Sequence, residues 1–294
     1  VARTIGRNGW IPLPEPSMTI SGPEILARTM SHPTTRAGSA RGWQYHSRSD
    51  HHSKVACWTI LFDLMRECDA FRDDAGRGLV VVSINRVMVG PINKTLDLVV
   101  CRRANPGSSA DSASFADLVQ QYGIHLSTQE AAALTKCPSV PLEKKGDVNE
   151  IIVALEAKAC MTKHSASIPR LHAEILATGY LAKQAAPHCL TVSHTLVNAA
   201  PFFMSPGRGD SVNKHSQPGD ANSILSMLRL AIPRQSESKS FGYDVVGASV
   251  IDCKNDGSPV TEVRGEPSPT SSDFLNYRQM IAQLCGAYRK HFGS

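Results

Sequence analysis

The chain has no apolar run near the roughly 20 residues that a membrane-spanning helix requires, which argues against an integral membrane protein. It has no C-x-x-C pair, and no secretory hydrophobic region stands before its eight cysteines. Cys57, Cys68, Cys101, Cys137, Cys160, Cys189, Cys253 and Cys285 are scattered through apolar segments. Reduced, mostly buried thiols in a cytoplasmic protein are therefore expected. A phosphate-binding loop of the GxxxxGK(S/T) form is missing, as are a dinucleotide-binding glycine fingerprint, a G-x-S-x-G elbow and an H-E-x-x-H helix. Nucleotide-driven motors, nicotinamide dehydrogenases, elbow-type serine hydrolases and zinc proteases thus have no support. Internal repeats are absent too. Strong charge is also lacking: the net charge of +5 and pI near 8.8 are mildly basic. They are compatible with a nucleic-acid partner without requiring one.

At 294 residues, with 41% hydrophobic and 19% charged residues, the chain can bury a substantial core. Its most informative stretch is EIIVALEAK, residues 150–158, which reads as a buried strand. Side chains alternate along a strand, so Ile152, Ala154, Glu156 and Lys158 share one face, and Ile151, Val153, Leu155 and Ala157 the other. Both faces are apolar until the C-terminal end, as in a central strand covered on both sides. A carboxylate and an ammonium then arrive together, and burying them is costly unless each is satisfied. A structural ion pair is one explanation. The other comes from NKTLDLVVCRR, residues 93–103, a second strand that carries a lone acid, Asp97, on the face of Val99 and Cys101. Aspartate is depleted from strands. If the strands are neighbours, Asp97 and Glu156 can converge on one divalent cation with Lys158 beside it.

An aspartate on one strand followed by E-x-K on the next resembles the PD-(D/E)XK nuclease superfamily, which includes many restriction endonucleases. The matching positions are Asp97, Glu156 and Lys158; Leu96 stands where the motif's name has proline. The order helix, strand, strand, insertion, strand, helix, strand over residues 50–200 is similar to that family's αβββαβ core. The resemblance implies an α/β fold with a central mixed sheet flanked by helices. It implies Mg²⁺, or Mn²⁺, held by Asp97 and Glu156, with Lys158 assisting the attacking water. The implied activity is hydrolysis of phosphodiester bonds in double-stranded DNA, as in a restriction or phage-defence enzyme. A palindromic double-strand cutter is most simply a homodimer. In many relatives the helix before the sheet adds an acid to the site, and Glu67 is the candidate here. Two alternatives stay open: a nucleic-acid-binding module of the same fold without catalysis, and an unrelated α/β protein in which E-x-K is structural.

The remaining segments are placed around this core. Residues 1–46 form a proline-rich arm with Arg36, Arg41, Trp43 and Tyr45; Pro23 can open a short helix near residues 20–30. The main domain is expected over residues 47–294, with an insertion at about 104–149 and a C-terminal elaboration at about 200–294. Its first helix, within 47–74, is capped by Asp50 or Ser53 and has a Val55, Trp58, Phe62, Met65 stripe. His51, His52 and Lys54 lie at its start, where backbone amides favour phosphate. A strand over 76–90 pairs with the Asp97 strand. The insertion holds two short helices, the second with a Ser127–Glu130 capping box. After the E-x-K strand, Pro169 sits in the first turn of a helix with a Leu171, Ile175, Gly179 stripe. Lys163, His164 and Arg170 are candidates for contact with a scissile-strand phosphate. A strand at 188–200 follows by a parallel crossover. Asp252 and Lys254 form a second D-x-K, ranked below the first because no acid-bearing strand precedes it.

Overall fold

A computed structural model of the chain describes residues 20–35, 41–89, 92–104, 113–143, 148–206, 211–230 and 242–293, the side chains of 148 and 149 excepted. In chain order the elements are α1 (Gly22–Met30), β1 (Thr34–Thr35), β2 (Gly42–Trp43), α2 (His51–Glu67), α3 (Asp69–Gly76), β3 (Val80–Met88) and β4 (Lys94–Arg103). Next come α4 (Leu118–Gln121), α5 (Thr128–Leu134), β5 (Val148–Cys160), α6 (His164–Ala185) and β6 (Leu190–Asn198). The chain ends with β7 (Phe202–Ser205), β8 (Ser211–Lys214), α7 (Gly219–Leu230), β9 (Val245–Asp252), β10 (Thr261–Glu262) and α8 (Tyr277–Phe292).

The fold is α/β, built on a six-stranded mixed sheet of order β10-β9-β6-β5-β4-β3. Strand β4 runs antiparallel to both of its neighbours, β3 and β5. The α6 crossover then makes β6 parallel to β5, and β9 is parallel to β6. The E-x-K strand β5 is thus interior, as its two apolar faces require. One face of the sheet packs against α1, α2, α3 and α8, with Val153, Leu155 and Ala157 pointing that way. The other packs against α6 and α7, through Leu171, Ile175, Ile224 and Leu228.

Helix α2 carries the anticipated stripe: Val55, Trp58, Phe62 and Met65 are all fully buried. It is nearly surrounded, lying between the sheet and helices α1 and α8. Helix α1 opens with Pro23 near its start and places Ile25, Leu26 and Met30 in the main core. Residues 22–30, read from sequence as part of an arm, are therefore a core element. The reason is Asp63 of α2, whose carboxylate accepts the Ser21 and Gly22 amides and so caps α1 from across the core. The Ser127–Glu130 capping box of α5 forms as expected. Helix α6 begins five residues earlier than Pro169 suggested, at His164, and absorbs that proline in its interior.

The thiol reading needs one correction. Cys68 and Cys285, 217 residues apart, pair as a disulfide with a Cα–Cα separation of 5.4 Å. It joins the α2–α3 junction to α8. Cys57, Cys101, Cys160, Cys189 and Cys253 are free and buried. Among the described residues, no helix is long and apolar enough to cross a membrane.

Candidate functional site

Strands β4 and β5 are paired through Leu98 and Leu155 and part immediately beyond. Asp97 and Glu156 are the next residues on each side of that fork. The Asp97 carboxylate sits in the fork itself, where its Oδ2 accepts the Ala157 backbone N–H at 3.0 Å. A side-chain oxygen thereby stands in for a ladder carbonyl. Its Oδ1 accepts from Ser53 Oγ at 3.0 Å and Lys54 Nζ at 3.0 Å, both from the first turn of α2. The expected alignment of Asp97 with Val99 and Cys101 is lost here, because α2 and the fork draw the carboxylate out of that face. Loss of hydration would raise the Asp97 carboxyl. The Lys54 charge, the Ala157 amide and the Ser53 hydroxyl outweigh it and hold the group below the usual carboxylate range.

Glu156 keeps the orientation that strand alternation gives it, toward the α6 side. Its Oε1 accepts from Lys158 Nζ at 2.7 Å and Lys94 Nζ at 2.9 Å. Its Oε2 is buried and has no hydrogen-bond partner. In the parallel register with β6, Glu156 stands beside Ser193 and Lys158 beside Thr195. Ser193 Oγ and Thr195 Oγ1 are likewise buried without a partner. Leaving such a group of polar atoms unpaired is unfavourable in a dry core. Lys158 also lies 3.8 Å from Glu174 Oε2 on α6. Dehydration would lower the Lys158 ammonium, yet Glu156, then Glu174 and Asp97, raise it above the ordinary lysine value. It is a cation at neutral pH.

A pair of carboxylates fits a hard divalent cation only if each keeps an open acceptor direction. An ionised carboxylate offers about four. Three are taken on Asp97, which leaves one on Oδ2; on Glu156 the whole of Oε2 is open. Among the described residues, no group of three or more His, Cys, Asp or Glu side chains is gathered to hold a metal. One or two carboxylates completed by water and phosphate is the usual Mg²⁺ arrangement.

The other expected site residues fall elsewhere. Glu67 is on the last turn of α2, while Asp97 meets the first, so about 20 Å of helix separates it from the site. It is not a member of this site. Lys54 is almost fully buried and committed to Asp97 and Asn85, which removes it from phosphate contact. Half-buried His52 packs at 4.8 Å from the Tyr45 ring. Loss of hydration pushes it down to about 4 despite the pull of Asp97, so it is neutral at pH 7. His164 is buried, with its Nε2 against the Asn198 carbonyl, and cannot reach a backbone phosphate as placed. Lys163 and Arg170 remain exposed near the C-terminal end of β5, Arg170 beside Glu174 at 3.5 Å.

Three contributors went unnoticed in the sequence. Lys94 stands three residues before Asp97, but only the folding of β4 beside β5 brings its side chain to Glu156. Asn85 and Ser53 had no local signal as site residues. Compared with known proteins, the chain matches no protein-family model, no curated protein and no solved structure.

Proposed function

We propose that the chain is a Mg²⁺-dependent endonuclease acting on double-stranded DNA, of the restriction or phage-defence kind, with its active site at the β4–β5 fork. The observation that carries this reading is Glu156. It is a buried carboxylate with one oxygen held by two lysines and the other left without a partner, next to Asp97 on the adjoining strand. The topology is compatible with it: α2, the antiparallel β3, β4 and β5, the α6 crossover and the parallel β6 follow in that sequence, with α3, α4 and α5 interposed.

Glu156, through Oε2, and Asp97, through the remaining direction on Oδ2 once its carboxylate turns from the α2 side of the fork toward Glu156, would hold the divalent cation. When bound, that ion supplies Lewis-acid activation of water and phosphoryl oxygen. The chain's own groups supply the rest. Lys158, fixed as an ammonium by Glu156, donates hydrogen bonds that orient the attacking water. It also offsets the negative charge that develops on the phosphoryl oxygens. Its raised proton affinity suits it to these roles rather than to that of general base. Lys94, on the same Glu156 oxygen, adds a second fixed positive charge. Exposed Lys163 and Arg170 give the neighbouring surface a positive edge suited to a phosphate backbone.

Incubation of supercoiled DNA with the protein in Mg²⁺, with an EDTA control, tests the proposal. Nicked or linear product in Mg²⁺ alone supports it. No product from modified or unmodified DNA, with duplex binding retained, would instead favour a binding module of the same fold.

A further inference from the structure

Lys54 is the most deeply buried cation of the site, its side chain only 1% exposed. It belongs to the first turn of α2, where free amides and the helix dipole oppose a positive charge. Its ammonium nevertheless lies among oxygens from two strands. Asn85 Oδ1 accepts from it, the Asp97 main-chain oxygen is 3.4 Å away, and Asp97 Oδ1 is 3.0 Å away. Asp50 Oδ2 adds a further oxygen at 3.8 Å, from the residue that precedes the helix. Asn85 reaches this position with φ of 53° in the middle of β3, a left-handed conformation uncommon for a non-glycine residue. A carboxylate, an amide carbonyl and a main-chain carbonyl around one positive charge form the donor set of a hard cation.

We propose that this cradle is a second divalent-cation position permanently filled by the protein's own ammonium. Lys54 thereby limits the wild-type site to one divalent ion, and it holds Asp97 in the fork whatever the metal concentration. In this account Lys54 is a positioning residue. Removing its ammonium opens the cradle to Mn²⁺ or Mg²⁺. The cradle itself stands on its own geometry; the single ion of the wild type rests on the Glu156 reading above.

The test counts bound Mn²⁺ by equilibrium dialysis with paramagnetic detection of the free ion, on the full chain. The wild type is expected to bind one ion and Glu156→Gln none. Lys54→Ala is expected to bind one more than the wild type, and Lys54→Ala with Asn85→Ala to lose that extra ion. A folded Lys54→Ala that binds no more than the wild type overturns the proposal, as does a wild type that already binds two. If the wild type binds none while Lys54→Ala binds one, the cradle stands and the metal role of Glu156 falls. If Lys54→Ala does not fold without metal, Mn²⁺ is expected to restore folding. Failure in Mn²⁺ as well overturns the proposal, because a cradle built for a cation would accept that ion.

Discussion

The Ala157 backbone N–H donates to Asp97 Oδ2 at 3.0 Å, across the point where β4 and β5 separate. The aspartate thus completes the sheet and anchors buried Lys54 in one stroke. Asp97→Ala leaves that ammonium without its nearest charge partner, and breaking a buried pair in this way costs roughly 3–5 kcal/mol. Urea unfolding is expected to show that loss, and Asp97→Ala combined with Lys54→Met to recover much of it. Equal loss in the single and double variants would show that the pair is not coupled.

Lys158 acts in this account as a fixed positive charge. Lys158→Ala is expected to reduce DNA cleavage by about 10²–10⁴-fold, the range for removing a positioned proton-transfer or charge-stabilising group. Duplex affinity, measured by electrophoretic mobility shift in Ca²⁺, is expected to change far less. A parallel fall in both would assign Lys158 to binding alone.

Buried imidazoles contribute to the pH dependence of stability. His194, bonded through Nε2 to Ser249 at 2.9 Å, is pushed down to about 4 by loss of hydration. Its unfolded value is about 6.5. A depressed histidine contributes stability present above the unfolded value and lost as pH falls through the folded one. The loss therefore runs from about pH 6.5 to about pH 4, of order 3 kcal/mol for one such group. Asp63 has the opposite sign: burial raises it to about 7 in spite of the Ser21 and Gly22 amides, so its contribution fades as pH rises toward 7. The two partly offset in the whole protein. Comparing the pH slope of unfolding for wild type and His194→Gln isolates the histidine, and a flatter slope in the variant is the expected result.

The Cys68–Cys285 bridge closes most of the chain into one loop. Reduction, or Cys285→Ser, is expected to remove roughly 2–5 kcal/mol of stability. Thiol titration of the denatured protein should give two more thiols after reduction than before. No increase would mean that the bridge does not form.

Much of this arrangement was legible because its signals are periodic and local. β5 declared itself by two apolar faces, α2 by a four-residue stripe, and α5 by the Ser127–Glu130 box. Asp97 was conspicuous as an acid in an apolar strand. What escaped reading depends on contacts distant in sequence: Lys54 with Asn85, Lys94 with Glu156, and Cys68 with Cys285. Glu67 was misplaced for a related reason. Helical spacing tells which face a carboxylate occupies, but only the packing of α2 on the sheet decides which end meets the site. For Lys54, a helix start predicts a phosphate contact, and nothing local in the sequence shows that Asp97 is the anion.

The most direct test of the central claim is cleavage of supercoiled DNA by Glu156→Gln beside the wild type, with matching thermal unfolding of the two proteins. The substitution keeps the shape of the side chain while removing its charge. The account predicts metal-dependent cutting by the wild type and loss of cutting in the variant by at least two orders of magnitude. Undiminished cutting by a folded Glu156→Gln would contradict it and return Glu156 and Lys158 to the role of a structural ion pair.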